Sequence, residues 1–186
     1  MKSKDTASDG KPEARQDPIA EAKRQWIRHG WGDAAEGMAA VTTIVRVNQI
    51  VTSRVADALT PWGLSFARFE ILRLLGFSRR GQLPMGKIGE RLQVHPASVT
   101  SAVKRLERDG LVAREVDGLD SRIVLASITE AGRVVLAPAT EAINTVFETV
   151  AGHHDLASMV KSLDVIRASA GDPVEAVSPM VDDRSL

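Results

Sequence analysis

Hydroxyl and cationic side chains cluster in one short stretch near the middle of the chain, between His95 and Gly110. Short hydroxyls and long cations hydrogen-bond the base edges and phosphates of duplex DNA. Val99, Val103 and Leu106 recur at the spacing of one helical face that packs on a core. We therefore predict an amphipathic helix whose other faces contact DNA. Its predicted contacts are Ser98, Thr100, Ser101 and Lys104 with base edges, Arg105 and Arg108 with phosphates, and His95, in the preceding turn, with a phosphate.

The alternative interpretation is a solvated amphipathic helix whose cations only keep the protein soluble. The neighbouring sequence favours the DNA-binding interpretation. Pro96 suits a first helical turn, and Gly110 suits the left-handed position after a last turn. Residues 83–94 predict a second short helix with Ile88 and Leu92 facing inward, and residues 93–95 form the turn between the two helices. Two short helices joined in this way form a helix-turn-helix.

A β-hairpin is predicted directly after these two helices. Runs rich in β-branched residues at 111–116 and 121–128 flank a break of Gly and Asp at 117–120, which is typical of a hairpin. The predicted fold class is therefore mainly α with a small β-wing, a winged helix-turn-helix.

Further helices are predicted on both sides of this lobe, each beginning at a residue that suits a helix start. The predicted starts are Pro18, Asp33, Ser65, Thr129 and Asp155, the helix from Asp33 runs to Leu59 with a broad apolar face, and Pro138 kinks the helix after Thr129. We predict five segments in the chain: a disordered lead-in over 1–17, N-terminal helices over 18–60, the winged helix-turn-helix over 61–128, C-terminal helices over 129–171 and a flexible tail over 172–186.

Basic and acidic residues are concentrated in different parts of the chain, although Lys and Arg balance Asp and Glu to a formal net charge of zero. Domains that bind nucleic acid are usually basic. Between Arg79 and Arg114 there are eight cations and three anions, whereas the residues after Gly171 hold four acids and one Arg. The helix-turn-helix region is basic by itself.

The sequence contains no motif typical of an enzyme and no segment typical of a membrane span. It has no Cys, no His spacing typical of a zinc site, no Gly-rich nucleotide loop and no nucleophile elbow. We expect no enzyme activity, no metal and no cofactor. No apolar run reaches the length of about 20 residues that spans a membrane, and the polar N-terminus is unlike a secretory signal, so we expect a cytoplasmic protein.

The segments at 68–72, 99–112, 117–122 and 125–132, together with the order of the predicted elements, resemble the MarR family of bacterial transcription regulators. The similarity covers residues 33–170. It implies a homodimer in which the first long helix and the last two helices of both subunits interlock. It further implies a repressor of a near-palindromic operator, with the recognition helix in a major groove and the wing in the neighbouring minor groove.

The wing differs in part from the family pattern Asp-Pro-x-Asp-Arg-Arg. Asp117, Asp120 and Arg122 match it, whereas Gly118 replaces the Pro and Ser121 the first Arg. The resemblance implies that Arg122 reaches the minor groove. The alternative for Arg122 is a partner for Asp120 across the hairpin end, and both can hold because an Asp can brace an exposed Arg.

The extra N-terminal helix resembles that of the urate-responsive, PecS-like branch of the family, in which a Trp and an acidic residue line a ligand pocket. Trp26 and Glu70 would hold those positions. The resemblance implies a small, anionic aromatic effector that enters a cleft between the dimer helices and the DNA-binding lobe and lowers DNA affinity. The alternative for Trp26 is a core or dimer contact. The alternative for the whole protein is a winged-helix protein-interaction module without DNA binding.

Overall fold

The computed structural model describes residues 16–152 and 155–174. The predicted lead-in and tail therefore lie almost wholly outside the described residues. The chain divides into two compact units, one up to Asp57 and one from Ala58 onward.

The first unit consists of helix α1, Pro18–Arg28, and most of helix α2, Gly32–Leu59. Asp17 caps α1 by accepting a hydrogen bond from the backbone N–H of Ile19 at 2.9 Å. The prediction that Asp33 caps the long helix was wrong by one residue, because α2 already begins at Gly32 and Asp33 lies in its first turn. An acidic residue there still interacts favourably with the positive end of the helix dipole.

The second unit contains the helix-turn-helix and the wing, in an order that confirms the predicted fold class. Its helices are α3 (Phe66–Phe77), α4 (Met85–Leu92), α5 (Pro96–Arg108), α6 (Glu130–Ala151) and α7 (Leu156–Ser169), and its strands are β1 (Gln82–Pro84), β2 (Val112–Val116) and β3 (Val124–Ile128). A short 3-10 turn, Thr60–Trp62, joins α2 to α3. The three strands form one antiparallel sheet in the order β1-β3-β2.

Local side-chain caps fix where three helices begin, as predicted. Ser65 accepts a hydrogen bond from the N–H of Arg68 at the start of α3. Thr129 accepts one from Gly132 at 3.0 Å, and Asp155 accepts one from Ser158 at 3.1 Å. Each cap satisfies one of the backbone donors that a helix start leaves without a partner.

The start of α4 differs from the prediction. The helix begins at Met85 instead of residue 83, because Gln82–Pro84 form the edge strand β1. In this strand Leu83 pairs with Ala126 of β3.

The core of the second unit is mostly aliphatic and contains the buried face of α5. Its fully buried side chains include Ile71, Leu72, Leu75, Ile88, Val103, Leu106 and Ile143. Pro138 lies inside α6, which runs through it without a break. Of the helices in the described ranges, none is both long and apolar enough to cross a membrane.

Candidate nucleic-acid interface

His95 directly precedes helix α5 and caps it with its own side chain. The imidazole Nδ1 accepts a hydrogen bond from the backbone N–H of Ala97 at 3.2 Å. In a neutral ring the proton then resides on Nε2, which leaves that nitrogen as a donor. The preceding turn is closed by Gln93 in the left-handed region, at φ 53°. A neutral His95 ring thus offers one N–H donor at the start of the helix, as a phosphate contact requires.

One face of α5 is buried and the opposite face is exposed, as the spacing predicted. Val99, Val103 and Leu106 are buried. The exposed polar and charged side chains of the helix are Ser98, Ser101, Lys104, Arg105 and Arg108. Within the described part of the chain neither Lys104 nor Arg105 is in an ion pair, whereas Arg108 Nε lies 3.3 Å from Asp109 Oδ1. Lys104 and Arg105 therefore remain available to an anionic partner.

Thr100 has a different environment from the other predicted base-edge residues. It is half-buried, and its hydroxyl donates to the Pro96 carbonyl at 3.0 Å. It lines a hollow of about 540 Å³ together with Lys87, Arg114 and Arg122. With its hydrogen already donated, the Thr100 hydroxyl can only accept from a base.

Two ion pairs attach the end of α5 to its neighbours. Arg68 of α3 pairs with Asp109 at 2.8 Å and also donates to the Gly63 carbonyl. Arg114 of β2 donates through Nε to Glu107 at 2.8 Å. The helix is thereby joined to the turn before α3 and to the wing. The sequence did not reveal these positioning residues, because opposite charges distant in sequence carry no mark of being paired.

Asp120 and Arg122 form a two-pronged pair at the wing tip. Arg122 Nε lies 3.1 Å from Asp120 Oδ1, the second guanidinium contact is also 3.1 Å, and the Arg122 backbone N–H donates to the same carboxylate at 3.0 Å. The side-chain hydrogen bond from Arg122, followed by the backbone one, holds the pKa of Asp120 below its ordinary value. The Arg122 side chain is nevertheless 88% exposed. Both interpretations of Arg122, as an ion-pair partner and as an exposed cation, are therefore compatible.

Asp117 closes the loop at the wing tip. Its backbone N–H donates to the Ile123 carbonyl at 2.9 Å, and its side chain accepts from the Leu119 N–H at 2.8 Å. The two acids of the wing motif thus shape the loop that presents Arg122.

The predicted ligand residues Trp26 and Glu70 belong to different units. In the first unit Trp26 is half-buried, and its ring meets that of Trp31 edge-on with centroids 5.4 Å apart. In the second unit Glu70 is half-buried on α3, and burial raises the pKa of its carboxyl. Their joint role in ligand binding stays a prediction.

Comparison with known proteins identifies a family for this chain. Residues 62–123, from the turn before α3 to the wing, match the MarR family. The crystal structure of Sco5413, a MarR family transcriptional regulator from Streptomyces coelicolor, is 42% identical, with 75% of this chain and 99% of that chain covered at a TM-score of 0.66.

Curated relatives match over shorter segments. The HTH-type transcriptional repressor Mb2911 of Mycobacterium bovis is 31% identical over 100 residues, which cover 54% of this chain and 70% of that protein. The HTH-type transcriptional repressor MdtR of Bacillus subtilis is 29% identical over 86 residues, which cover 46% of this chain. The match spans 54% of MdtR, about half its length.

Proposed function

The chain belongs to the MarR family of transcriptional regulators, and we propose that it is a sequence-specific DNA-binding repressor that acts as a homodimer on a near-palindromic operator. The observation that carries this proposal is the exposed face of α5. It presents Ser98, Ser101 and Lys104 beside Arg105 and Arg108, on a helix whose opposite face is fixed in the core. Such a face suits the edges and backbone of a major groove.

The repressor role is supported by the names of relatives. Mb2911 and MdtR are both named transcriptional repressors. Binding in front of a gene blocks transcription without any chemistry, so the same surface suffices for the whole function. The protein would act in the cytoplasm, where the chromosome is.

Selection from a random duplex pool tests sequence-specific binding. Duplexes retained by the purified protein are sequenced after several rounds. We expect an inverted repeat whose half-sites lie about one helical turn, 10–10.5 base pairs, apart, because two α5 helices related by two-fold symmetry enter successive major grooves. Recovery of no enriched sequence would contradict the proposal.

A salt titration distinguishes DNA binding from a protein-interaction role. Affinity for the selected duplex should fall steeply, with a log–log slope of about −0.9 for each phosphate contact, since cations on the protein release counterions from DNA. A protein-interaction module would bind the duplex weakly or not at all and would retain an apolar partner at high salt.

A small anionic aromatic effector would lower the affinity for the operator, with Trp26 and Glu70 as its contacts. Such coupling requires that the ligand bind one spacing of the two recognition helices more tightly than the other. Urate is the probe. We expect it to release the operator from the wild-type protein and to do so less effectively in Trp26→Ala. Equal release from both proteins would show that Trp26 is not a contact.

A further inference from the structure

The wing tip of this protein has more acidic than basic residues, which is unusual for a segment that approaches DNA. Between residues 115 and 124 there are three acids, Glu115, Asp117 and Asp120, and a single cation, Arg122. The Asp120 carboxylate moreover pairs with the guanidinium of Arg122. Phosphates on both sides of a groove repel a net negative tip. Charge alone therefore does not draw this wing to DNA.

The tip also exposes three large apolar side chains. Leu119 is 100% exposed, and Val116 and Val124 are 58% and 36% exposed. Val116 and Val124 are directly paired across β2 and β3, so their side chains lie next to each other on one face of the hairpin. Apolar residues thus continue from the hairpin arms to its end.

Leu119 is held outward by a defined loop. Its N–H donates to the Asp117 carboxylate at 2.8 Å, and the loop is closed by hydrogen bonds from Asp117 to Ile123 and from Ile123 to Asp120, both 2.9 Å. A loop that is already ordered by these hydrogen bonds loses little conformational freedom on binding. The leucine is thereby presented in advance to whatever the tip contacts.

We propose that Leu119 is a specificity-determining residue, and that it adds an apolar contact with the sugar walls of the DNA minor groove beside the exposed guanidinium of Arg122. The inference rests on the proposed function. A narrow A·T-rich groove would enclose the leucine, whereas the 2-amino group of guanine projects into the groove and would obstruct it. Other proteins that bind the minor groove also use apolar side chains there, although they insert them between base steps.

A comparison of salt dependence tests the apolar contact. Fluorescence anisotropy with the selected operator measures Kd for the wild type, Leu119→Ala, Leu119→Met and the neighbouring control Ser121→Ala. We expect Leu119→Ala to weaken binding about tenfold, since a buried leucine contributes transfer free energy of that order. Its salt slope should equal that of the wild type, because the variant neutralises the same phosphates. Leu119→Met should keep most of the affinity, and Ser121→Ala all of it.

The base pairs under the wing provide a second test. Three operators carry A·T, G·C or inosine·C pairs at the flanking positions, and inosine lacks only the 2-amino group of guanine. We expect the wild type to bind the A·T and inosine·C operators alike and the G·C operator more weakly. Leu119→Ala should bind all three with similar affinity.

The outcomes separate this inference from the proposed function. If the wild type binds no duplex, the proposed function fails and the inference falls with it. If the wild type binds but Leu119→Ala has an unchanged Kd and unchanged flank preference, the operator-binding proposal stands and the role of Leu119 is refuted. A lower salt slope for Leu119→Ala would also refute it. Unchanged thermal melts of the variants exclude unfolding as the cause of any weaker binding.

Discussion

Lys104 and Arg108 lie on the same exposed face of α5 but have different surroundings. Lys104 has no ion-pair partner in the described ranges, whereas Arg108 lies beside Asp109 at the end of the helix. A lysine that is free of an ion pair can hydrogen-bond a base edge, whereas a cation beside an acid at the end of the helix suits a phosphate contact that fixes the register. One position is therefore suited to reading sequence and the other to positioning.

We predict that Lys104→Ala weakens operator binding by about 1–3 kcal/mol and relaxes the preference at one base pair in each half-site.

Arg108→Ala should weaken binding to all sequences alike and reduce the salt slope by about one for each phosphate that the protein no longer neutralises. Binding to a panel of operators with single base-pair changes measures both effects. Arg28→Ala, which removes a cation from α1, is the control. If Lys104→Ala left both the affinity and the base preference unchanged, Lys104 would not read a base.

The burial of Glu70 makes the stability of the folded protein depend on pH. Burial raises the pKa of this carboxyl in the folded state, so the folded protein favours the protonated form more than the unfolded chain does. The stability linked to this group is complete at pH below the unfolded value of about 4.3 and is lost as pH rises through the folded value.

We therefore predict that Glu70→Gln raises the melting temperature at pH 7 and that this gain shrinks as pH falls toward about 4. Thermal melts of both proteins across that pH range provide the measurement. Glu141→Gln, at an exposed position on α6, is the matched control and should have little effect at any pH. A destabilised Glu70→Gln at pH 7 would indicate that the carboxylate is needed in its charged form.

At the scale of elements, the start of α6 is joined closely to the end of the helix-turn-helix. Thr129 donates through its hydroxyl to the Gly110 carbonyl at 2.8 Å and through its N–H to the Leu111 carbonyl at 3.1 Å. A Cβ built on Gly132 would lie 2.2 Å from the Leu111 carbonyl oxygen and 2.8 Å from a side-chain carbon of Ile128. Only glycine allows this approach.

We predict that Gly132→Ala lowers the free energy of unfolding by about 1–3 kcal/mol, because the backbone of Leu111 must move. Gly86→Ala in α4 is the control, since a Cβ there meets nothing within 4 Å. It should stabilise the protein by about 0.5–1 kcal/mol through helix propensity. Urea unfolding of the three proteins measures both. Equal stability of Gly132→Ala and wild type would contradict the packing argument.

Elements specified by neighbouring residues could be predicted from the sequence, and elements specified by distant partners could not. The caps Ser65 and Thr129 act within three residues of themselves, so their pattern is visible locally. Strand β1 is three residues long and exists only because β3 pairs with it. A pattern of three residues is too short to be distinguished from the helical pattern that follows it. The predicted α4 therefore began too early, at residue 83.

In the candidate site, too, features set by neighbouring residues could be predicted and contacts between distant residues could not. The buried stripe and exposed face of α5 follow from helical periodicity. The bonds of Arg68 to Asp109 and of Arg114 to Glu107 depend on the tertiary fold. The hydroxyl bond of Thr100 to Pro96 is local, but a polar residue within a helix can equally point to solvent, so its spacing did not specify this choice.

At the scale of the whole molecule, the described part of the chain leaves two apolar helix faces exposed. On α2 these residues are Val41, Ile44, Val45, Val47 and Ile50, and on α7 they include Leu156, Met159, Val160 and Leu163. The α7 positions recur at i, i+3, i+4 and i+7, which forms one stripe. Contiguous exposed apolar surface of this kind marks a protein–protein interface. A second copy of the chain is the partner that the family resemblance implies.

We predict that Leu163→Asp, in the α7 stripe, converts the proposed homodimer to a monomer, because a charge cannot be buried there without a partner. Ala157→Asp places the same charge on another face of α7 and should leave the dimer intact. Sedimentation equilibrium gives the molecular mass of each variant. A monomer can occupy only one half-site, so Leu163→Asp should bind the full operator far more weakly than the wild type does. On a duplex with a single half-site, the two proteins should have the same weak affinity. A dimeric Leu163→Asp with normal operator affinity would place the interface elsewhere.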